Sequence, residues 1–217
     1  MTVNPVNGSP NRRQQILEEA THLFAAKGFE GASMRTIAKA CGITEAAIYR
    51  HFTNKNDLYE KVIIAKAVQH NIAGQLEAFS PEWNIERVLL AIAEHILAMA
   101  KQDPELMRLM VNNSLERGSS VARVLFKEVR LPYITYMSCE LTKRIADGEI
   151  RDIDPLITSR CFVGMVMDCA LNVGVWNRIA GVDIAATDVV CNNVPIFALG
   201  LTKDFGPDNP VTQPGRA

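Results

Sequence analysis

The chain lacks the marks of several large protein classes. Its longest apolar run, residues 161–176, is shorter than a membrane span and carries Asp168 and Asn172. No apolar signal core opens the sequence. Five cysteines, an odd number with no CxxC pair, argue against a disulfide framework and a zinc ribbon. Cys161 and Cys169 fall about two turns apart on one expected helix, too far to bond to each other. A reduced, cytoplasmic chain is the expectation. Gly-rich phosphate loops, GxSxG and HExxH are all missing, and the four histidines (22, 51, 70, 95) share no ligand spacing with each other or with cysteine. Neither an enzyme, a metal site nor a cofactor is expected. No strand pattern, internal repeat or low-complexity block is present either.

A charge excess of one sign is missing too, since the 217 residues sum to −1. Divided, the chain is less neutral. Residues 1–70 hold nine Lys/Arg against six Asp/Glu, and residues 71–217 hold fourteen against eighteen. A basic end on a slightly acidic body suits a local nucleic-acid footprint. At 48% apolar, the chain is long enough for a sizeable core.

What is present is helical periodicity, and one stretch organises the rest: SMRTIAKACGITEAAIYRHF, residues 33–52. Ser33 suits the N-cap of a first short helix with Ile37, Ala38 and Cys41 on one side. Gly42 stands where a left-handed residue would end that helix. Ile43 is an apolar plug, and Thr44 caps a second helix of about two turns. At 100° per residue Ala47 and Ile48 face one way, while Glu45, Ala46, Tyr49 and Arg50 face the other. Two short helices around a Gly-containing turn make a helix-turn-helix, whose second helix enters the DNA major groove.

Residues 12–62 resemble the N-terminal DNA-binding domain of the TetR family of bacterial transcriptional regulators. The matching pieces are an amphipathic first helix ending in Lys27-Gly28-Phe29, then Ser33 and Thr36-Ile37-Ala38, Gly42-Ile43-Thr44, Ala47-Ile48-Tyr49, His51-Phe52 and Lys55. The resemblance implies an all-α fold of about nine helices, with a C-terminal helical domain that binds ligand and dimerises. The expected divisions are a disordered tail at 1–10, the helix-turn-helix domain at 11–54, a regulatory domain at 55–204 and a flexible tail from 205. It also implies a homodimer through the helices at about 154–180 and 187–203, operator DNA and a small-molecule effector as partners, and a place on the nucleoid.

DNA contacts are expected from both short helices. Thr44, Glu45 and Ala46 would face base edges, Glu45 accepting from a cytosine amine and Ala46 allowing close approach. Tyr49, Arg50, His51 and Lys55 would grip phosphates, with Ser33, Arg35 and Thr36 doing so from the preceding helix. The helical wheel sets His51 nearer the packed side, whereas the resemblance makes it a phosphate contact. Arg12 and Arg13 stand at a helix start, a poor place for cations by the dipole argument, so a phosphate partner or plain solvation accounts for them.

The body reads as further helices: one from Lys55 to about Ala73 with Gly74 marking its end, then 84–102, 104–117, 119–147 with Pro132 as a kink, 154–180, and a last one from Thr187 holding Pro195. Asp168 lies inside an apolar run with Asn172 one turn on; a structural partner, a ligand anchor and exposure on one edge all fit. Met99, Met110, Met137, Met165, Tyr133 and Trp176 suit either ordinary core or an adaptable apolar pocket. His95 and Asn113 are polar positions beside apolar faces. The expected function is a repressor of a palindromic operator, released by a small apolar or amphipathic ligand. The alternative is a ligand-independent DNA-organising or partner-binding protein with the same head.

Overall fold

A computed structural model describes residues 12–114, 120–181 and 183–203, and every regular element among them is helical. In chain order these are α1 (Arg12–Gly31), α2 (Met34–Ala40), α3 (Glu45–Ile48), α4 (Lys55–His70), α5 (Ile72–Glu77) and α6 (Ile85–Gln102). Then come α7 (Pro104–Ser114), α8 (Ser120–Leu125), a π-helical segment (Phe126–Arg130), α9 (Leu131–Ala146), α10 (Pro155–Ala180) and α11 (Ala186–Leu199). Counting α5 with α4, and the unbroken helical run α8 through α9 as one, leaves nine among the described residues, the number the resemblance implied. The expected tails at 1–10 and from 205 lie outside the described residues.

Local chemistry sets most helix starts. Ser33 caps α2, Thr44 caps α3, Asn84 caps α6 and Asp154 caps α10, each side chain accepting from a backbone N–H two or three positions into its helix. Asn54 does the same for α4 by accepting the Asp57 N–H at 2.9 Å, and the Asp57 carboxylate reaches back to accept the Thr53 N–H at 2.8 Å. Two expected boundaries moved. The break after α4 is at Asn71, which takes a left-handed φ of 42°, and Gly74 sits inside α5. Asparagine tolerates that region better than most residues. Gly74 has its own reason, since a Cβ there would come 2.5 Å from the Asn71 amide nitrogen. Pro132, expected as a kink, lies in the first turn of α9, and the π-helical segment just before it absorbs the irregularity.

Contacts divide the chain into two units: residues up to Gln69 with Pro104–Glu128, and His70–Asp103 with the residues from Val129 onward. This differs from the boundary expected at 54/55, because α4 shares the head's core and α7 packs along α1. In the first unit Ile16, Phe24, Ile37, Ile48, Phe52, Leu58 and Tyr59 are buried, and the Phe24 and Tyr59 rings meet edge-on at 4.7 Å. Glu105 on α7 joins His22 of α1 and Lys66 of α4, the latter at 3.0 Å. Burial works to raise the Glu105 carboxyl, but its bonds to Lys66 and His22 outweigh that and hold it below its ordinary value.

In the second unit α6, α9, α10 and α11 enclose Leu89, Ile92, Ile96, Met137, Phe162 and Val166. Arg144, 6% exposed, pins the end of α9 by donating to Glu149 at 2.6 Å and to the Trp83 carbonyl at 2.5 Å. All five cysteines are free. Among the described residues no helix is long and apolar enough to cross a membrane.

Candidate nucleic-acid interface and effector region

The turn between α2 and α3 closes by a Schellman motif. Gly42 takes φ 64° and its N–H reaches the Lys39 carbonyl at 3.2 Å, while the Ile43 N–H reaches that of Ala38 at 3.0 Å. No atom lies within 4 Å of where a Gly42 Cβ would stand, so the backbone conformation and not space selects glycine. Thr44 then accepts the Ala47 N–H at 3.3 Å and starts α3. The regular part of α3 is shorter than the two turns expected, and hydrogen-bonded turns carry it on to Phe52, whose N–H reaches the Ile48 carbonyl at 3.0 Å.

Ile48 and Phe52 are buried and fix the inner side of this segment. Thr44, Glu45, Ala46, Tyr49, Arg50 and His51 are all exposed, Tyr49 by 50%. The expected contact residues of α3 are thus all exposed, and His51 is exposed too, not on the packed side where the wheel set it. Arg35 on α2 is exposed as well. Ser33 and Thr36 are exposed but engaged in a reciprocal capping box, with the Ser33 N–H donating to Thr36 Oγ1 at 3.0 Å.

Lys55 is held differently from expectation. Its ammonium sits 4.1 Å from the Phe29 ring centre, donates to the Ala32 carbonyl at 3.2 Å and lies 3.7 Å from Glu30. It ties the start of α4 to the end of α1, which leaves less of its charge for a phosphate. Arg12 is exposed and bonded to Gln15 at 2.6 Å, while Arg13 stacks 5.2 Å from the centre of the Phe52 ring.

The residues expected at a ligand site do not gather in one place. His95, Met99, Tyr133 and Met137 belong together on α6 and α9, with His95 Nδ1 at 2.7 Å from the Tyr133 hydroxyl and Tyr133 at 3.9 Å from Met99 Sδ. Tyr133, Met99 and Met137 are buried and His95 is half-buried. Burial, and then the nearby charge of His70, lowers the His95 pKa, so the ring is neutral at neutral pH; burial alone drives the Tyr133 hydroxyl well upward. Gln75, which no motif or periodicity singles out, completes this group with its Oε1 at 2.7 Å from His95 Nε2.

Met110 lies on α7 and falls in the first unit. Met165 faces α11, where Asn193 reaches its sulfur at 3.6 Å. Asp168 is exposed, not buried: it accepts from Asn172 at 2.5 Å, and its charge opposes the lowering that burial imposes on Arg130. In the single chain Asp168 is therefore exposed on α10, with Asn172 one turn on as its hydrogen-bond partner. The side chains of Asn113 and Trp176 lie outside the described residues.

Two clefts open on the second unit. One of about 510 Å³ is lined by Leu97, Ala98 and Lys101 of α6, Ala170 of α10, and Ala185 and Thr187. The other, about 450 Å³, runs between α10 and α11 past Ile157, Cys161, Met165, Ile196 and Phe197. Around the second, Leu156, Ile157, Ile196 and Leu199 are 54–63% exposed, an apolar face of a kind single soluble domains seldom leave open.

Residues 16–62 match the family described as bacterial regulatory proteins, tetR family. The nucleoid occlusion factor SlmA of Aliivibrio fischeri (strain MJ11) is 29% identical over 166 residues, which cover 72% of this chain and 81% of that protein. Among solved structures, the transcriptional regulator FadR from Bacillus subtilis in complex with stearoyl-CoA superposes with a TM-score of 0.65 at 18% identity, covering 87% of this chain and 98% of its own. AibR in complex with isovaleryl coenzyme A and operator DNA gives 0.58 at 21%, covering 86% and 97%.

Proposed function

From a chain that belongs to the TetR family of bacterial transcriptional regulators, we propose a homodimeric repressor of a palindromic operator, released by a small apolar or amphipathic effector. The observation that carries the DNA half is the outer side of α3, where Thr44, Glu45, Ala46, Tyr49, Arg50 and His51 are exposed on a segment whose inner side is fixed by buried Ile48 and Phe52. Glu45 and Ala46 read base edges, a carboxylate suiting a cytosine amine and a methyl side chain suiting close approach. Arg50, Tyr49 and His51 hold phosphates, joined by Arg35, Ser33 and Thr36 of the preceding helix and by Arg12. Lys55 contributes charge but acts first as a clamp.

One short recognition helix reads few base pairs, so two are needed about one DNA turn apart. The exposed apolar face of α10 and α11 supplies a surface for that pairing. For the effector, FadR and AibR carry acyl-CoA thioesters on the same fold. The acyl end of such a thioester, an apolar chain with a carbonyl acceptor, has the chemistry that the Met-rich second unit with its His95–Tyr133 pair would take. Effector and operator then oppose one another by linkage, each lowering affinity for the other by the same factor.

The second reading, a protein that organises the nucleoid without a ligand, is favoured by the identity with SlmA. Selection of bound fragments from a genomic DNA pool at near-physiological salt separates them. Enrichment of a palindrome with half-sites about one turn apart supports the repressor. Binding without sequence preference that fades as salt rises refutes it.

A further inference from the structure

Gln75 joins two parts of the second unit that are far apart in sequence. Its amide nitrogen donates to the backbone carbonyl of His70 at 2.8 Å, and its Oε1 lies 2.7 Å from His95 Nε2. His70 is the last residue of α4, where helical carbonyls have no partner of their own. Its ring is anchored separately, Nε2 meeting Asp103 at 3.1 Å, with side-chain exposures of 15% and 10%. The His70 carbonyl therefore cannot follow a Gln75 amide that turns away.

These contacts fix where protons sit. Gln75 gives its NH₂ to His70, so its oxygen faces His95, and His95 Nε2 must carry the proton. The other ring nitrogen, Nδ1, is then a lone pair and accepts the Tyr133 O–H at 2.7 Å. We propose that the tautomer of His95 decides whether Gln75 caps α4, and that an acceptor brought to the Tyr133 hydroxyl is what changes it.

The switched arrangement follows from the same inventory. A carbonyl that accepts the Tyr133 O–H leaves the phenol oxygen free to accept. His95 answers with Nδ1–H; one proton leaves Nε2 for water, another arrives at Nδ1, and the net charge is unchanged. Nε2 now presents a lone pair to Gln75 Oε1. The amide can turn over to donate to Nε2, but its oxygen then meets the His70 carbonyl. In either case the bond that ended α4 is lost. The helix affected, Lys55–His70, begins three residues after Phe52 of the recognition segment. The trigger rests on the thioester reading above, whereas the coupling between tautomer and cap stands on the geometry alone.

The test uses the full-length chain labelled with ¹⁵N-histidine at pH 7.5, where long-range ¹H–¹⁵N correlation assigns each ring proton. Backbone amide exchange over the last turn of α4 is read in parallel. In the free protein His95 carries its proton on Nε2; a proton on Nδ1 overturns the proposal. His95→Leu and Gln75→Leu each speed exchange of the last turn at least fivefold, and the double variant goes no faster than either, whereas independent packing effects would multiply. His95→Gln, which can still donate from the ε position, keeps exchange within twofold of the parent. Multiplicative effects, or no rescue by glutamine, reject the relay. Stearoyl-CoA and isovaleryl-CoA are then added: binding that moves the proton to Nδ1 and speeds exchange supports the trigger, and binding that does neither rejects it. If neither thioester binds, the thioester reading fails, and the cap is decided by the variants.

Discussion

Substituting Ile196 by aspartate should separate the proposed dimer, and the exposure of this side chain gives the size of the effect. Fully burying an isoleucine is worth about 1.5–3 kcal/mol. Ile196 is 63% exposed, so about 1–2 kcal/mol remains to be gained against a partner. A two-fold interface is isologous, and the same position is lost on both subunits. The loss is therefore about 2–4 kcal/mol, or roughly thirty- to seven-hundred-fold in the dimer dissociation constant. Desolvating the new carboxylate adds to this. Sedimentation equilibrium across nanomolar to micromolar protein measures it directly. Ile196 follows Pro195 on an outward face of α11 and makes little of the internal core, so far-UV circular dichroism and the unfolding midpoint of the monomer should change little. Ile157→Asp, 62% exposed on α10, should behave alike. A parent chain that sediments as a monomer throughout, or an Ile196→Asp dimer as tight as the parent, would refute the assignment of this face.

Other outcomes follow from particular contacts. Arg50→Ala should weaken binding to all sequences alike and lower the slope of log affinity against log salt by about one. Glu45→Ala should instead relax preference at one base pair of each half-site by about 1–3 kcal/mol in competition binding; an unchanged preference removes Glu45 from the base readers. At Asn71, φ 42°, glycine should be tolerated and valine should cost roughly 1–2 kcal/mol in urea unfolding. Because Glu105 is held below its ordinary value, the unfolded chain binds the extra proton, and stability falls as pH drops from about 4.5 through the folded value. Glu105→Gln should flatten that limb. His95 is also lowered, first by burial, so its share of stability is present above 6.5 and lost on acidification below it, and His95→Gln should remove that dependence in thermal melts at pH 5 to 7.5.

The parts of this molecule that could be read in advance are those set by neighbours in sequence. Ser33, Thr44, Asn84 and Asp154 cap helices because an oxygen two or three residues ahead of an N–H can always reach it, and Gly42 ends α2 because the left-handed turn penalises a Cβ wherever it occurs. What depended on distant packing was not legible. Nothing local announces that α7 lies along α1, or that Lys55 turns onto Phe29. Gln75 occupies an exposed helical position with no periodic signal, and its partners come from residues 70 and 95. Asp168 misled for an instructive reason. The run 161–176 is apolar nearly all round because α10 has two apolar demands, one from the core through Phe162 and Val166 and one from the outward face that includes Ile157. Asp168 is eleven residues on from Ile157, about 20° away around the helix, so the carboxylate stands on that outward face and not in the core.

The same reasoning bears on repressor against nucleoid organiser. A protein that only binds DNA needs a second unit that dimerises, and hydrophobic packing alone would serve. This one keeps a buried tyrosine hydroxyl, a half-buried imidazole and an exposed amide in series. Buried polar groups are costly unless satisfied, and the Tyr133 hydroxyl has His95 as its partner. Replacing Tyr133 by phenylalanine removes the hydroxyl and keeps the ring's packing. If the series served stability alone, that change should alter the unfolding midpoint and leave DNA binding untouched at every effector concentration. If the series reports an effector, Tyr133→Phe should still bind operator yet fail to release it when thioester is added. A repressor therefore predicts separation of binding from release at a single hydroxyl, and an organiser predicts that the hydroxyl is silent in both.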